Sequence, residues 1–333
     1  MLCNQAKLWY SFSIIIPVKE INSYVKNTLK CLRANNYKNF EVLLLPDEDV
    51  NIKKSYPWLK IISTGRVSPS AKRNLASREA SGEILAFLDD DAYPEKNWLK
   101  NAVKLFKKYK IAAVVGPNLT PKNSSLAQKV SGEFFASRFG AGVPDRYTPG
   151  KKLKYVDDWP TVNFLIRKEV FLDLSGFDEN FWPGEDTKFC LDLISRRKKI
   201  LYSPEVVVYH HRRPTLKAHL KQVASYGFHR GYFAKKFPAT SLRLFYFIPG
   251  LFVLYLLSCI IYSLLGAGNF FIFLPLFVYL LILLYNTLIA ADRWRQRQLF
   301  FLLPVYFLLS HISYGLNFIM GLTYSKSLKS KLR

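Results

Sequence analysis

The first two thirds of the chain alternate short, nearly unbroken apolar runs with stretches whose apolar residues recur every three or four positions. Ser13-Ile14-Ile15-Ile16-Pro17-Val18, Glu41-Val42-Leu43-Leu44-Leu45, Leu59-Lys60-Ile61-Ile62 and Ile84-Leu85-Ala86-Phe87-Leu88 read as strands buried on both faces. Between them Val25, Leu29 and Leu32 recur at i, i+4 and i+7, which predicts a helix capped by Asn22 or Ser23. Ser68-Pro69 opens a second helix, through Ala71, Leu75 and Ala76 to Ser81-Gly82. An amphipathic helix over 95–109 and a strand over 111–115 continue the alternation, which predicts an α/β domain: a mostly parallel sheet with helices on both faces. From 117 to 155 the pattern fades into Lys, Ser, Gly and Pro and predicts loops. It resumes with a strand over 159–167, a short helix to Ser175-Gly176, a helix carrying Phe189, Leu193 and Ile194, and a strand pair at 199–202 and 206–209.

The pattern then changes kind. Leu216, Leu220 and Val223 begin a helical stripe, and residues 226–238 mix rings with cations, as a segment lying in a headgroup layer does. Stretches 244–265, 270–290 and 299–322 contain no Lys, Arg, Asp or Glu. Each is long enough to cross a hydrocarbon layer, which predicts about three transmembrane helices. The expected organisation is an α/β domain over 1–214, an interfacial segment over 215–242 and a membrane domain over 243–333.

Charge sharpens this. Residues 1–240 carry 40 Lys and Arg against 23 Asp and Glu, a net +17. Next to three apolar spans, such a surface is expected to face anionic membrane lipids rather than nucleic acid. No charged n-region followed by a long apolar run and a cleavage site opens the sequence, so the first domain is expected to stay in the cytoplasm, at the inner membrane. Cys3, Cys31, Cys190 and Cys259 are scattered, against both a zinc site and a disulfide framework. With the first domain in the cytoplasm, the loop of Arg293, Arg295 and Arg297 falls inside, whereas three full crossings put Lys326, Lys329, Lys331 and Arg333 outside. Either that tail is tolerated there, or the third segment, with Pro304, His311 and Asn317, re-enters without crossing.

The candidate chemistry lies at the strand ends. Asp89-Asp90-Asp91 closes the strand at 84–88; in an extended chain Asp89 and Asp91 share one face, where two hard oxygens suit Mg²⁺ or Mn²⁺. The same triplet also suits a plain cap between a strand and the next element. Glu20 and Asp47 likewise follow strands, and ligands of parallel sheets sit beyond those ends. Lys72 and Arg73 supply positive charge to the same ligand or are solvated helix residues. Glu185 and Asp186 stand before an apolar helix, where an N-terminus attracts carboxylates; alternatively Asp186 is a general base for a hydroxyl acceptor. His210, favoured over His211, is a candidate third metal ligand. Arg212 and Arg213 contact a diphosphate or sit at the membrane.

In this order, S-I-I-I-P-V-K-E, E-V-L-L-L-P-D, P-S-A-K-R-N and F-L-D-D-D-A-Y-P resemble the nucleotide-binding half of family 2 glycosyltransferases, and G-F-D-E followed by G-E-D resembles their acceptor-side signature. The resemblance spans roughly residues 13–240 by its motifs. It implies a Rossmann-like, GT-A nucleotide-diphospho-sugar transferase fold and metal-dependent inverting transfer from a nucleotide-diphospho-sugar, UDP-linked by preference. By that resemblance Pro17 and Glu20 flank the nucleoside, Asp47 bonds the base, Arg73 and Asn74 lie near it, and Asp90 belongs to the nucleotide site. Asp89 and Asp91 form the D-x-D pair, with Asp91 the direct ligand and His210 beside it. Asn163 lies near the donor sugar, and Asp186 is the base. Trp182 and Glu185 belong to the donor and acceptor region, and Arg230 falls in a Y-G-x-x-R element that resembles exopolysaccharide transferases building on lipid-linked glycans. Pro46 before Asp47 and Glu48 after it depart from the family's two acids before a Gly-Ser turn. The Q-x-x-R-W motif of processive synthases is absent, so one sugar per encounter is expected. A polyprenyl-phosphate glycosyltransferase is the near alternative; a non-catalytic membrane scaffold or anionic-polymer binder is the distant one.

Overall fold

The computed structural model describes residues 10–50, 56–181, 183–266 and 269–328. In chain order the elements of the first half are β1 (Phe12–Pro17), α1 (Ser23–Arg33), β2 (Phe40–Leu45), β3 (Leu59–Ile61), α2 (Pro69–Glu79), β4 (Ile84–Phe87), β5 (Ala92–Pro94), α3 (Trp98–Lys108), β6 (Ala113–Val115), β7 (Asn118–Leu119), α4 (Leu126–Ala136) and α5 (Arg138–Ala141). There follow β8 (Lys154–Val156), β9 (Phe164–Arg167), α6 (Lys168–Asp173), α7 (Glu185–Ser195), β10 (Ile200–Tyr202) and β11 (Val208–His210). The helices α8 (Leu216–Lys236), α9 (Pro238–Ser241), α10 (Leu244–Leu264), α11 (Leu274–Trp294) and α12 (Gln298–Thr323) complete the chain.

Two compact units result. The first comprises the chain up to Leu119 with Thr148–His210, and the second Thr120–Tyr147 with His211–Lys326. Residues 120–147, expected to be loops of the α/β domain, therefore cluster with the C-terminal helices, and the division falls at 210 rather than 214. The missed helix is α4. Its start carried a signal, since Ser125 accepts from the Gln128 N–H while the Gln128 side chain accepts from the Ser125 N–H. Its apolar residues lie on several faces because several faces are buried, which removes the one-sided stripe.

In the first unit an eight-stranded sheet runs β3-β2-β1-β4-β9-β6-β10-β8. β3, β2, β1 and β4 are parallel, β9 is antiparallel to β4 and β6, and β8 is antiparallel to β10. Alternate residues of each strand enter opposite cores: Ile14, Ile16, Val42 and Leu44 pack with α1 and α3, and Ile15, Leu43, Leu45 and Phe87 with α2 and α7. Two covered faces explain why the strands read as unbroken apolar runs. A small sheet, β5-β11-β7, forms beside the carboxyl end of β4.

In the second unit α8 lies along the C-terminal half of α12. His219 meets Ser310, and burial pushes its pKa down to about 4, so the neutral ring also reaches Ser131 of α4. Further along, Gly227 faces Tyr314 and Gly231 faces Phe318 and Leu322, at separations where a Cβ would come within 2.4 Å and 2.1 Å of a backbone oxygen. Helices α10, α11 and α12 are all long and apolar enough to cross a membrane. α12 is a continuous helix through Pro304, His311 and Asn317, with none of the breaks a re-entrant segment needs.

Candidate active site

A first cleft opens beyond the ends of β1 and β2, lined by Pro17, Val18, Lys19, Asp47, Arg66 and Lys72. Lys72 rises from α2 into this corner, where it is 3% exposed; its Nζ donates to the Val18 and Leu45 carbonyls and to the Asp47 carboxylate. It is neither a solvated helix residue nor a free cation, but the strut that fixes Asp47. A buried ammonium needs such a set of acceptors. Glu20 is exposed and is not among the residues lining the cleft. Arg66 lines it without having been singled out, since nothing in its local pattern marks it.

The acidic triplet follows. β4 ends at Phe87, so Asp89, Asp90 and Asp91 lie in a turn rather than on a strand, closed by the Ala92 N–H donating to the Asp89 carbonyl at 3.1 Å. The turn, not strand pleating, brings Asp89 and Asp91 to one side. β11 pairs with β5 so that His210 stands opposite Ala92, which sets the imidazole beside Asp91. One ligand atom each of Asp89, Asp91 and His210 lies within 4.8 Å of the others, and His210 Nε2 is 2.9 Å from Asp91 Oδ1. Neighbouring ligands of an octahedral ion held at about 2.1 Å stand about 3 Å apart, so this donor set suits a Mg²⁺-sized cation.

Arg73, one residue after Lys72, reaches the other way. It is 4% exposed and joins Asp89 Oδ1 at 2.7 Å to Glu185 Oε1 at 2.9 Å. Resemblance put Arg73 near the base; the structure uses it to tie the acidic turn to the first turn of α7. Gly184, at φ 129°, makes the sharp entry into that helix. Glu185 is as buried as its partner. Burial and the adjacent Asp186 carboxylate push its pKa up to about 7, against the pull of Arg73. Asp186 is only half-buried, and its Oδ1 accepts from the Thr187 N–H at 2.7 Å. Thr187 in turn donates to Asp158, a buried carboxylate without a family motif to announce it.

Two predicted contacts become scaffold instead. Asn74 donates to the Phe177 carbonyl and to Glu179 and accepts from the Phe177 N–H, so it anchors the loop ahead of α7 rather than lying against the base cleft. Asn163, expected near the donor sugar, is 0% exposed. Its oxygen accepts from Trp98 Nε1 and its nitrogen donates to the Pro117 and Val206 carbonyls, which leaves no amide proton or surface for a sugar. In the second unit, Arg230 lies over the Tyr246 ring at 4.7 Å and donates to Ser241, and Arg212 covers the Tyr147 ring and donates to Thr120. Trp182 lies outside the described residues.

The model of glycosyl transferase family 2 matches residues 13–174. A dolichyl N-acetyl-α-D-glucosaminyl phosphate 3-β-D-2,3-diacetamido-2,3-dideoxy-β-D-glucuronosyltransferase of Methanococcus voltae is 25% identical over 321 residues, 91% of this chain and 95% of that protein. A pre-mycofactocin glycosyltransferase of Mycobacterium tuberculosis is 29% identical over 164 residues, 48% of this chain, which spans only 33% of that relative. Among solved structures, a mannosyltransferase of Pyrobaculum calidifontis in complex with GDP-Man and Mn²⁺ superposes with a TM-score of 0.59 at 17% identity, over 93% of this chain and 88% of its own. That likeness carries the GT-A fold.

Proposed function

We propose, for a chain that belongs to glycosyl transferase family 2 through residues 13–174, that it moves a sugar with inversion from a nucleotide-diphospho-sugar, UDP-linked by preference, to a hydroxyl of a lipid-linked glycan. The meeting of Asp89, Asp91 and His210 at one sheet edge, tied through Arg73 to the acidic start of α7, carries this reading. A Mn²⁺ or Mg²⁺ ion held by Asp91 and His210, with Asp89 beside them, would offset the charge of the departing nucleoside diphosphate. Lys72 orients Asp47 toward the base. Asp186 takes the proton of the attacking hydroxyl as the new glycosidic C–O bond forms and the bond to the diphosphate breaks. The lipid-linked acceptor is supported by the Methanococcus relative, whose name specifies a dolichyl phosphate-linked sugar and whose length this chain nearly matches.

Thermal stability of the detergent-purified protein with UDP, GDP and dTDP, each with and without Mn²⁺, tests the donor site. One nucleotide should raise the midpoint only with the ion, and Asp91→Ala should abolish that rise. No shift with any nucleotide in folded protein would leave the scaffold alternative the better account.

The charge of α8 supports a reading of how the chain meets the membrane. It carries Lys217, Lys221, Arg230, Lys235 and Lys236 and lies against α12 from Ser310 to Leu322. Were that half of α12 to cross, these cations would enter hydrocarbon at about 2.5–3.5 kcal/mol each. α12 is also the most enclosed of the three, with 39% of its most apolar window buried within the protein against 22% and 17% for α10 and α11. In this reading α10 and α11 form the crossing hairpin and α12 lies in the interface, so the basic tail stays on the cytoplasmic side with the sheet. In a variant lacking the four native cysteines, Ser327→Cys should react with an impermeant maleimide in inside-out vesicles and not in intact cells. Labelling of intact cells would make α12 a third crossing.

A further inference from the structure

Asn163 is fully enclosed, yet it stands at a junction of the first unit. The residue after it, Phe164, pairs with Phe87 at the end of β4 and with Val115 at the end of β6. There both strands leave the large sheet: β4 runs through the acidic turn into β5, and β6 runs through Gly116-Pro117 into β7. The amide of Asn163 bonds to all three segments that meet as the small sheet. It accepts from Trp98 Nε1, four residues after β5, at 2.9 Å. It donates to the carbonyl of Pro117, directly before β7, at 3.0 Å, and to that of Val206, two residues before β11, at 2.7 Å. An indole can only donate, so Trp98 fixes which end of the amide faces it and turns both amide protons toward the carbonyls.

The small sheet needs such a clamp. β5 and β11 have three residues each and β7 has two, so few ladder hydrogen bonds hold their register. A slip of one residue sends every side chain of a strand to the opposite face, and β11 carries His210 opposite Ala92, next to Asp91. Gly116 serves the same carbonyl as Asn163. A Cβ there would stand 1.8 Å from the Val206 oxygen and 3.0 Å from the Asn163 side-chain nitrogen. Any side chain at 116 would therefore push away the segment that Asn163 draws in. Both residues act on the chain four residues ahead of His210.

We propose that Asn163 is a positioning residue for the metal site: through Val206 it sets the register at which β11 brings His210 to Asp91, an inference that rests on the metal reading above. The Mn²⁺ affinity of the detergent-purified full chain, in the presence of UDP, GDP or dTDP and read from the EPR signal of free Mn²⁺, tests it in a double-mutant cycle with His210→Ala. Asn163→Leu, close in volume and without the amide, is expected to weaken Mn²⁺ binding by about 10–100-fold, as loss of a group that orients a metal ligand does. In the His210→Ala background the same substitution should change the affinity by less than about twofold, since no imidazole is left to place. Trp98→Phe, which keeps the amide but frees its orientation, should give a smaller loss with the same dependence on His210, and it decides the matter if Asn163→Leu does not fold. An equal loss in both backgrounds would make Asn163 a core bracket only, and unchanged affinity in both variants would equally overturn the proposal. If His210→Ala alone binds Mn²⁺ as well as the unaltered protein does, His210 is no ligand and the proposal falls. If the unaltered protein binds no Mn²⁺ with any of the three nucleotides, the metal reading itself fails and takes the proposal with it.

Discussion

Asp186→Asn is expected to cut turnover by about 10²–10⁴-fold, the usual contribution of a positioned general base, while nucleotide binding with Mn²⁺ stays near that of the unaltered protein. Both acids of the α7 first turn could in principle take a proton, and their surroundings separate them. Glu185 is committed: it is 4% exposed, its Oε1 bonded to Arg73 and its Oε2 to the Gly184 N–H, and burial with the neighbouring Asp186 pushes its pKa up to about 7. Asp186 is more open, and its Oδ1 accepts from the neighbouring Thr187 N–H. The check is single-turnover transfer from the donor identified by thermal shift, with the shift itself as the control for folding. Turnover within a few-fold of normal would remove Asp186 as the base and return attention to Glu185.

Arg73→Ala should have the largest effect on stability, because one substitution strands two carboxylates. Removing one member of a buried ion pair costs about 3–5 kcal/mol, which for a chain of this size lowers the melting midpoint by roughly 10 °C. The deficit should depend on pH in a fixed direction. Glu185 has a folded pKa of about 7 against 4.5 unfolded, so between those values the native state holds the extra proton and stability falls as pH rises. Without the guanidinium the folded pKa rises further, so the loss should be mild at pH 6 and severe at pH 8. Midpoints of the two proteins in the same detergent across that range decide it; equal midpoints at pH 8 would mean that Arg73 does not hold the turn together.

Much of the first unit was legible because its physics is local. Ser68-Pro69 marked the start of α2, and Ser68 does accept the Ala71 N–H; the runs at 14–16 and 42–45 needed two covered faces and have them. What local pattern could not carry was the partner of each polar group. Lys72 and Arg73 are adjacent and chemically alike, yet one turns toward the ends of β1 and β2 and the other toward Asp89 and Glu185, because successive residues of a helix point about 100° apart. Asn163 shows the same limit from the other side. An amide in a strand-like stretch reads equally as a ligand contact or a core bracket, and only the carbonyls of Pro117 and Val206, distant in sequence, settle which. The place of α4 also had no local cause, since the surface that buries its second face is formed by α8 and α12.

The glycine crossing of α8 and α12 imposes an order on how the protein is made. The strand bearing His210, and with it every strand of the large sheet, leaves the ribosome before α8 begins, so the cluster of Asp89, Asp91 and His210 can close early. Gly231 must then wait for Phe318, 87 residues later, on the order of ten seconds at ordinary elongation rates. During that interval α8 has no α12 to cover it, and its cations and rings are free to seek the membrane surface first. A larger residue at Gly231 would therefore be felt as a failure of the last step of assembly, in a chain whose catalytic sheet had already formed.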